Sequence, residues 1–250
     1  MPVPQKIFVT GTDTNVGKTW ISCLLIRRLT ESGNSTGAYK PACSGVITTS
    51  DGTEVWEDVR ELAQACSTTV PDQRICPQTF RAPLAPNEAA RAEHRTVNDA
   101  LLADGLAAWN GHCSNLVIEG AGGLFCPLSD QRTVLDLLLS LQTPNPTPAV
   151  VVAANRLGVI SHTRLTIHTL QQAGIPVAGI VLNQIAAPAE LHETDPSLPL
   201  NAAQLIHWMP EIPLLNCNRG EHSLSLLHPG NTNAATFTDW LELISAVSKF

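Results

Sequence analysis

The segment Gly11-Thr12-Asp13-Thr14-Asn15-Val16-Gly17-Lys18-Thr19 carries the strongest chemical signal in the chain. A glycine-bounded loop between a strand and a helix turns successive backbone N–H groups toward one point. The positive end of the helix dipole adds to them, so the loop suits a polyphosphate. Lys18 is placed to reach the β and γ phosphates of a nucleotide, and the Thr19 hydroxyl to ligate Mg²⁺. The two glycines stand one residue further apart than in the usual G-x-x-x-x-G-K-[ST] pattern, so the generic match is imperfect.

Other candidates depend on where the fold places them. Glu119 ends an apolar run and opens Gly120-Ala121-Gly122-Gly123, where glycines let backbone approach a ligand closely. A carboxylate at a strand end can hold a metal or its waters, and ligands of open α/β sheets sit outside the carboxyl ends of the strands. Lys40, followed by Pro41 and by Ser44-Gly45, aims an ammonium at the same crevice, although a lysine so placed is commonly a surface residue. Asp58 reads equally as a solvated helix acid. His162 and His168 lack metal-ligand spacing, and neither H-E-x-x-H nor G-x-S-x-G occurs, which argues against zinc chemistry and a serine hydrolase.

Positioning these groups requires alternating strands and helices. Apolar runs alternate with amphipathic stretches, the pattern of βαβ units around a mostly parallel sheet with helices on both faces: an α/β fold like that of the P-loop nucleoside triphosphatases. Strands are expected at Lys6–Thr10, Thr36–Lys40, Leu116–Glu119, Ala149–Ala153, Val177–Leu182 and Ile212–Leu215. Helices are expected at Val16–Glu31, Val55–Ala65, Asn98–Trp109, Thr163–Gln172 and Phe237–Val247. The runs at 149–153 and 177–182 are almost continuously aliphatic, as fully buried parallel strands are. Ala42–Thr53, Thr143–Pro148 and Ala186–Pro199 read as loops, and the proline-rich Pro71–Arg95 as irregular structure.

Composition sets the outer bounds. The 250 residues are 44% hydrophobic, enough for one domain spanning 1–250. A net charge of −7 with scattered basic residues lacks the footprint of a nucleic-acid binder. The seven cysteines form no C-x-x-C pair and read as reduced thiols. With no secretory signal and no stretch long enough to span a bilayer, a cytoplasmic location without membrane partners is expected.

The chain resembles the dethiobiotin synthetases, ATP-dependent cyclo-ligases of biotin biosynthesis. The resemblance rests on Phe8 to Thr19 with its extra loop residue, Tyr39-Lys40-Pro41-Ala42-Cys43-Ser44-Gly45, Pro83-Leu84-Ala85-Pro86, Glu119 to Gly123 with Pro127 to Asp130, and Leu157 to His162 before Leu165-Thr166. These occur in order from the first strand to about Asn183. The resemblance implies a reaction of 7,8-diaminononanoate, CO₂ (as bicarbonate) and ATP. A carbamate forms, its oxygen attacks the γ phosphate to give a mixed anhydride, and the second amine closes a cyclic urea with loss of phosphate.

Carried over by position, the resemblance implies ATP contacts from Asn15, Val16, Gly17, Lys18, Thr19, Trp20, Asp58, Glu119, Gly120, Ala121, Gly122, Asn183, Gln184, Pro213, Leu214 and Leu215. Thr19, Asp58 and Glu119 would surround Mg²⁺, and Lys40 with Lys18 would neutralise the reacting charge. Substrate contacts fall on Thr12, Ser44, Gly122, Gly123, Leu157, Gly158, Val159 and Ser161. The segment 157–162 crosses a dimer interface in that family, so a homodimer with shared sites is implied. Departures are Ser161 where asparagine is usual, Asn87 where histidine is common, and Pro210 in place of a glycine ahead of Glu211-Ile212-Pro213.

Two rivals share the fold. Partitioning ATPases usually carry a second lysine inside the loop, absent from Thr12–Val16, and corrin-directed amide ligases normally append a glutamine-hydrolysing domain for which this chain lacks length.

Overall fold

The structure is a computed structural model that describes residues 2–143, 145–185 and 195–246. β1 (Gln5–Gly11) leads through the glycine loop into α1 (Lys18–Glu31), and β2 (Thr36–Tyr39) follows. Two pairs of short strands lie beyond it: β3 (Cys43–Ser44) pairs with β6 (Thr79–Phe80), and β4 (Ile47–Thr48) with β5 (Glu54–Val55). Between and after them come α2 (Glu57–Ala65), α3 (Asp72–Ile75), α4 (Pro86–Ala92), α5 (Asp99–Asp104) and a 3₁₀ turn at Gly105–Trp109. The remaining elements are β7 (Asn115–Gly123), α6 (Val134–Ser140), β8 (Ala149–Ala154), α7 (Val159–Gln172), β9 (Val177–Asn183), α8 (Leu198–Trp208), β10 (Leu214–Cys217), β11 (Ser225–His228) and α9 (Phe237–Ala246).

The main sheet runs β11-β10-β9-β8-β1-β7-β2, parallel throughout except at the antiparallel edge strand β11. All six residues of β8 and the middle of β7 are buried, as the aliphatic runs require when helices cover both faces. β1 sits between β7 and β8, so the loop after it opens at the middle of the carboxyl rim. Register fixes what lies beside it. Val9 pairs with Glu119, and Tyr39 with Ile118, so Lys40 leaves β2 alongside the Glu119 carboxylate.

Several expectations shift for local reasons. α1 begins at Lys18 rather than Val16, because Gly17 adopts φ 89° and cannot be a helical residue. α7 starts at Val159, four residues earlier than expected, behind the left-handed Gly158. β7 continues through its glycines to Gly123. The helix expected at Asn98–Trp109 has Asn98 as its cap, its side chain accepting from Ala100 N and Leu101 N, and tightens to 3₁₀ at Gly105. Pro71–Arg95 is not irregular: it holds α3, β6 and α4, and Pro86 stands in the first turn of α4, where its missing N–H costs nothing. The loop expected at Ala42–Thr53 contains β3 and β4, and the strand expected at Ile212–Leu215 runs from Leu214 to Cys217. Residues 186–194 of the expected loop Ala186–Pro199, and Val247 at the end of the expected last helix, lie outside the described residues.

Three elements carried signals that periodicity alone does not catch. α6 opens on a capping box in which the Thr133 side chain accepts from Asp136 N and the Asp136 carboxylate accepts from Thr133 N. α8 begins at Leu198-Pro199, a proline that reads as a breaker but is tolerated at a helix start. β11 alternates exposed and half-buried residues at the sheet edge.

The β2 edge is closed by Trp109, whose indole donates to Arg74 O at 3.2 Å and whose ring lies directly over Gly37. A Cβ at Gly37 would overlap that ring. Gly37→Ala is therefore expected to cost about 1–3 kcal/mol as an overpacking change. A lowered urea midpoint at constant slope is the check, and an unchanged midpoint would mean that Trp109 does not seal this edge.

Candidate active site

The phosphate loop is shaped by two left-handed residues, Asn15 (φ 57°) and Gly17 (φ 89°). Gly11 is required by space, since a Cβ there would lie 2.8 Å from Val16 Cγ2 and 2.9 Å from Asp13 O. At the far end of the loop, the Asn183 amide at the tip of β9 donates to Val16 O at 2.9 Å and leaves no room for a side chain at Gly17. Lys18 Nζ donates to Asp13 O at 2.9 Å and lies across the loop. Burial, the largest influence on it, lowers the Lys18 pKa from 10.5, and the neighbouring Lys40 adds to this while Glu119 and Asp58 oppose it.

Beside the loop is a cluster of charges held at short range. Glu119 is fully buried, and its Oε2 accepts from Ser22 Oγ at 2.8 Å. Its Oε1 lies 2.9 Å from the Thr19 hydroxyl and 2.6 Å from Lys40 Nζ. Lys40 Nζ also stands 2.7 Å from Asp58 Oδ2, and Thr19 Oγ1 is 2.9 Å from Asp58 Oδ1. Four elements meet here: the first turns of α1 and α2, the end of β2, and β7. Burial alone would pull the Lys40 ammonium down, but the Glu119 and Asp58 carboxylates outweigh it and hold its pKa well above the ordinary lysine value. Burial likewise opposes ionisation of Asp58, and the Lys40 charge with the Lys40 and Thr19 hydrogen bonds reverses that, leaving the carboxyl below its ordinary value.

These groups open into a cavity of ≈ 650 Å³, roofed by Pro83 to Pro86 and bordered by Ser44, Gly122 and Cys126. Ser44 Oγ donates to Leu84 O at 2.6 Å, which ties the short β3 segment to that roof. Gly122 is left-handed (φ 63°), and Gly123 lies against Gly11 O, so the glycine turn after β7 packs onto the phosphate loop. A Cβ at Gly120 would come within 2.9 Å of Val134 Cγ1, so this glycine allows α6 to pack close to β7.

The sequence-predicted residues divide among three places. Thr12, Asn15 to Thr19, Lys40, Ser44, Asp58 and Glu119 to Gly123 gather around the loop and its cavity. Trp20, Asn183, Gln184 and Pro213 to Leu215 lie on the other side of the loop, toward β9 and β10. Leu214 and Leu215 are buried on β10, so any ligand contact there is through backbone. Leu157, Gly158 and Ser161 line a separate groove of ≈ 680 Å³ between α7 and α8, not the cavity. Asn87 borders neither, lining a smaller recess with Arg91 and Ser129.

The sequence reading missed Ser22, Cys126 and the Asp13–Arg156 pair. Ser22 falls three residues after Thr19, hence on the same helix face, and that spacing was a readable signal. Arg156 Nη2 reaches Asp13 Oδ2 at 3.0 Å across 143 residues, and nothing local in the sequence foretells it. Among the described residues no three His, Cys, Asp or Glu side chains cluster as a metal site, and no helix is long and apolar enough to cross a membrane. The oxygen set of Thr19, Asp58 and Glu119 is of the hard type that Mg²⁺ takes, and its two carboxylates carry more charge than one ammonium neutralises.

Comparison with known proteins agrees with this layout. A family model described as an AAA domain matches residues 5–217. The ATP-dependent dethiobiotin synthetase BioD of Anaeromyxobacter dehalogenans strain 2CP-C is 41% identical over 210 residues, covering 84% of this chain and 88% of that protein. The Rhodopirellula baltica enzyme of the same name is 39% identical over 80% of this chain and 79% of its own length. BioD 1 of Salmonella typhi is 37% identical over 75% of this chain and 80% of its own. Among solved structures, the cell division protein FtsY of Thermotoga maritima superposes with a TM-score of 0.50 at 15% identity, covering 98% of this chain and 69% of that one, a likeness of fold alone. Matches of this identity and extent, over a chain whose loop, lysine and two carboxylates converge as described, establish that it belongs to the ATP-dependent dethiobiotin synthetase family.

Proposed function

We propose that this chain, as one domain, closes the cyclic urea of dethiobiotin from 7,8-diaminononanoate, CO₂ and ATP in the cytoplasm. The observation that carries the reading is the meeting of Lys40, Glu119, Asp58 and Thr19 at contacts of 2.6–2.9 Å on the lip of a cavity that begins at the phosphate loop. In the proposed roles, backbone N–H groups of Asn15 to Thr19 and the Lys18 ammonium hold the triphosphate. Thr19, Asp58 and Glu119 would hold Mg²⁺, which when bound supplies positive charge to the phosphate being transferred. Lys40, already charged, faces the substrate carbamate and its phosphorylated form.

Phosphoryl transfer itself requires no proton acceptor among these side chains, because the carbamate is already an anionic nucleophile; the protons lost as each amine forms its C–N bond pass to solvent or to the departing phosphate. Phosphoryl transfer spreads negative charge over the transferred oxygens, so fixed cations and donors in a low-dielectric pocket supply most of what the chain can offer. Ser44 and the backbone of Gly122 and Gly123 would position the diamine over the phosphate end of the nucleotide, an entropic rather than a chemical contribution.

The groove between α7 and α8 supports the proposal of a homodimer. Leu157 is 78% exposed, Leu165 64% and Trp208 50%, an apolar strip that a second copy would cover. Among the described residues no side chain caps the start of α7, and with Val159 N–H bonded to Arg156 O, the N–H groups of Ile160 and Ser161 can receive the carboxylate tail of a substrate held by the partner. The departure at Ser161 keeps the backbone of this turn intact. The partitioning-ATPase rival gains nothing here, since the loop's only lysine is Lys18.

Four outcomes are expected. Purified protein should release phosphate from Mg·ATP only when the diamine and bicarbonate are both present; brisk release without the diamine would overturn the ligase reading. Lys40→Met should lower kcat by about a hundredfold or more while changing the Kd for ATP far less, because its interaction grows as charge develops. The same change leaves two carboxylates facing each other, so the metal-free protein should lose about 3–5 kcal/mol, and Mg²⁺ should restore more stability to the variant than to the parent. Equal melting shifts with Mg²⁺ in both would remove the carboxylates from the metal. Finally, the parent should sediment as a dimer, and Leu165→Glu should give a monomer with a raised KM for the diamine and unchanged ATP binding. A variant that stays dimeric would move the interface elsewhere.

A further inference from the structure

The reacting end of a nucleotide on this loop is fixed by Lys40, Asp58 and Glu119, all on the β7 and β2 side. A triphosphate lying along the loop with its terminal phosphate there must send its ribose and base the opposite way, toward the carboxyl ends of β9 and β10. Two aromatic rings stand in that direction. Trp20, directly after Thr19 in the first turn of α1, has its ring centroid 5.3 Å from that of His222, with the planes inclined at 45°. The Trp20 indole also stands beside the Cys217 thiol at the end of β10, and the ring packs against the core. Cys217 pairs in register with Asn183, whose amide holds Val16 O of the loop. The indole is thus anchored to the same rim that shapes the phosphate site.

We infer that Trp20 is the stacking platform for the nucleotide base and that His222, contributed by the segment between β10 and β11, covers the base from its other face. This rests on the nucleotide reading above and adds to it the group that grips the base. Every base presents a π face, so an aromatic ring yields affinity without reading any hydrogen-bonding edge. The indole is also fixed in place, so little of that affinity is lost to ordering it. A base between two rings needs about 7 Å between their planes, twice the roughly 3.5 Å of van der Waals contact. The two rings now touch each other, so His222 must move off Trp20 as the base enters. His222 is exposed, and the buried Leu224 two residues on anchors the segment, so that movement breaks no core packing.

Titration calorimetry of the full chain with Mg²⁺, using ATP and inorganic tripolyphosphate as separate ligands, tests this. Trp20→Ala should weaken ATP by about tenfold or more and leave tripolyphosphate within about twofold of the parent. Trp20→Phe should recover most of the ATP affinity, and His222→Ala should show a smaller loss confined to ATP. If Trp20→Ala weakens both ligands alike, or neither, the stacking assignment is wrong while the phosphate site stands. If the parent protein itself holds neither ligand, the nucleotide reading fails, and the platform with it.

Discussion

A fully buried carboxylate organises this molecule. Glu119 lies at zero exposure, and an ion so placed is tolerable only when compensated at short range. Its compensation comes from three residues on two other elements: Thr19 and Ser22 from α1, and Lys40 from the end of β2. Asp58 joins from α2 through the same ammonium. None of these contacts can form unless β1, β2 and β7 are in register and both helices are docked. Yet a buried ion pair is weak evidence of stability, because an apolar group of equal volume would often hold such a joint as well. The charges therefore point to a ligand, one whose own charge completes the cluster.

The same rim separates two kinds of work. On the β7 and β2 side, side chains carry fixed charge, the cavity wall is Pro83 to Pro86, and the glycine turn brings backbone close. Toward β9 and β10 there are amides, a thiol and two rings, groups that suit a flat, weakly polar ligand portion rather than a phosphate. The phosphate loop is the boundary, and it touches both sides through residues adjacent in sequence: Thr19 faces the acids and Trp20 faces His222. A helix turn separates successive side chains by about 100°, so one dipeptide at the start of α1 is enough to address both.

The fold class was legible because the signals were strong and local. Continuous aliphatic runs located β8 and β9, and the loop with its Gly-Lys-Thr located β1 and α1. The cluster was partly legible: Glu119 and Lys40 each follow a predicted strand, and a parallel sheet brings strand ends to one rim. What escaped was set by short-range exceptions or by distance. Pro86 and Pro199 look like breakers but occupy helix starts. Periodicity starts α7 at Thr163, whereas the left-handed Gly158 fixes the start at Val159. The Arg156–Asp13 pair and the His222–Trp20 contact join residues too far apart for any pattern to suggest.

The loop, one residue longer than the generic motif, holds left-handed positions at both Asn15 and Gly17, and alternation of hand is what makes consecutive N–H groups converge on an anion. A longer loop has more ways to collapse, so it needs bracing, and the braces are visible: Val16 fills the space above Gly11, Gly123 lies under Gly11 O, and Asn183 grips Val16 O from β9. That last contact fills the place of a Gly17 side chain with an amide from the end of β9. A residue that the family resemblance counts among the ATP contacts is thus also a strut of the phosphate loop. Any displacement of Asn183 toward a base must be felt at Val16, one residue from the turn that presents Lys18. The Asn183 amide thus ties the end of β9 to the phosphate loop through Val16 O.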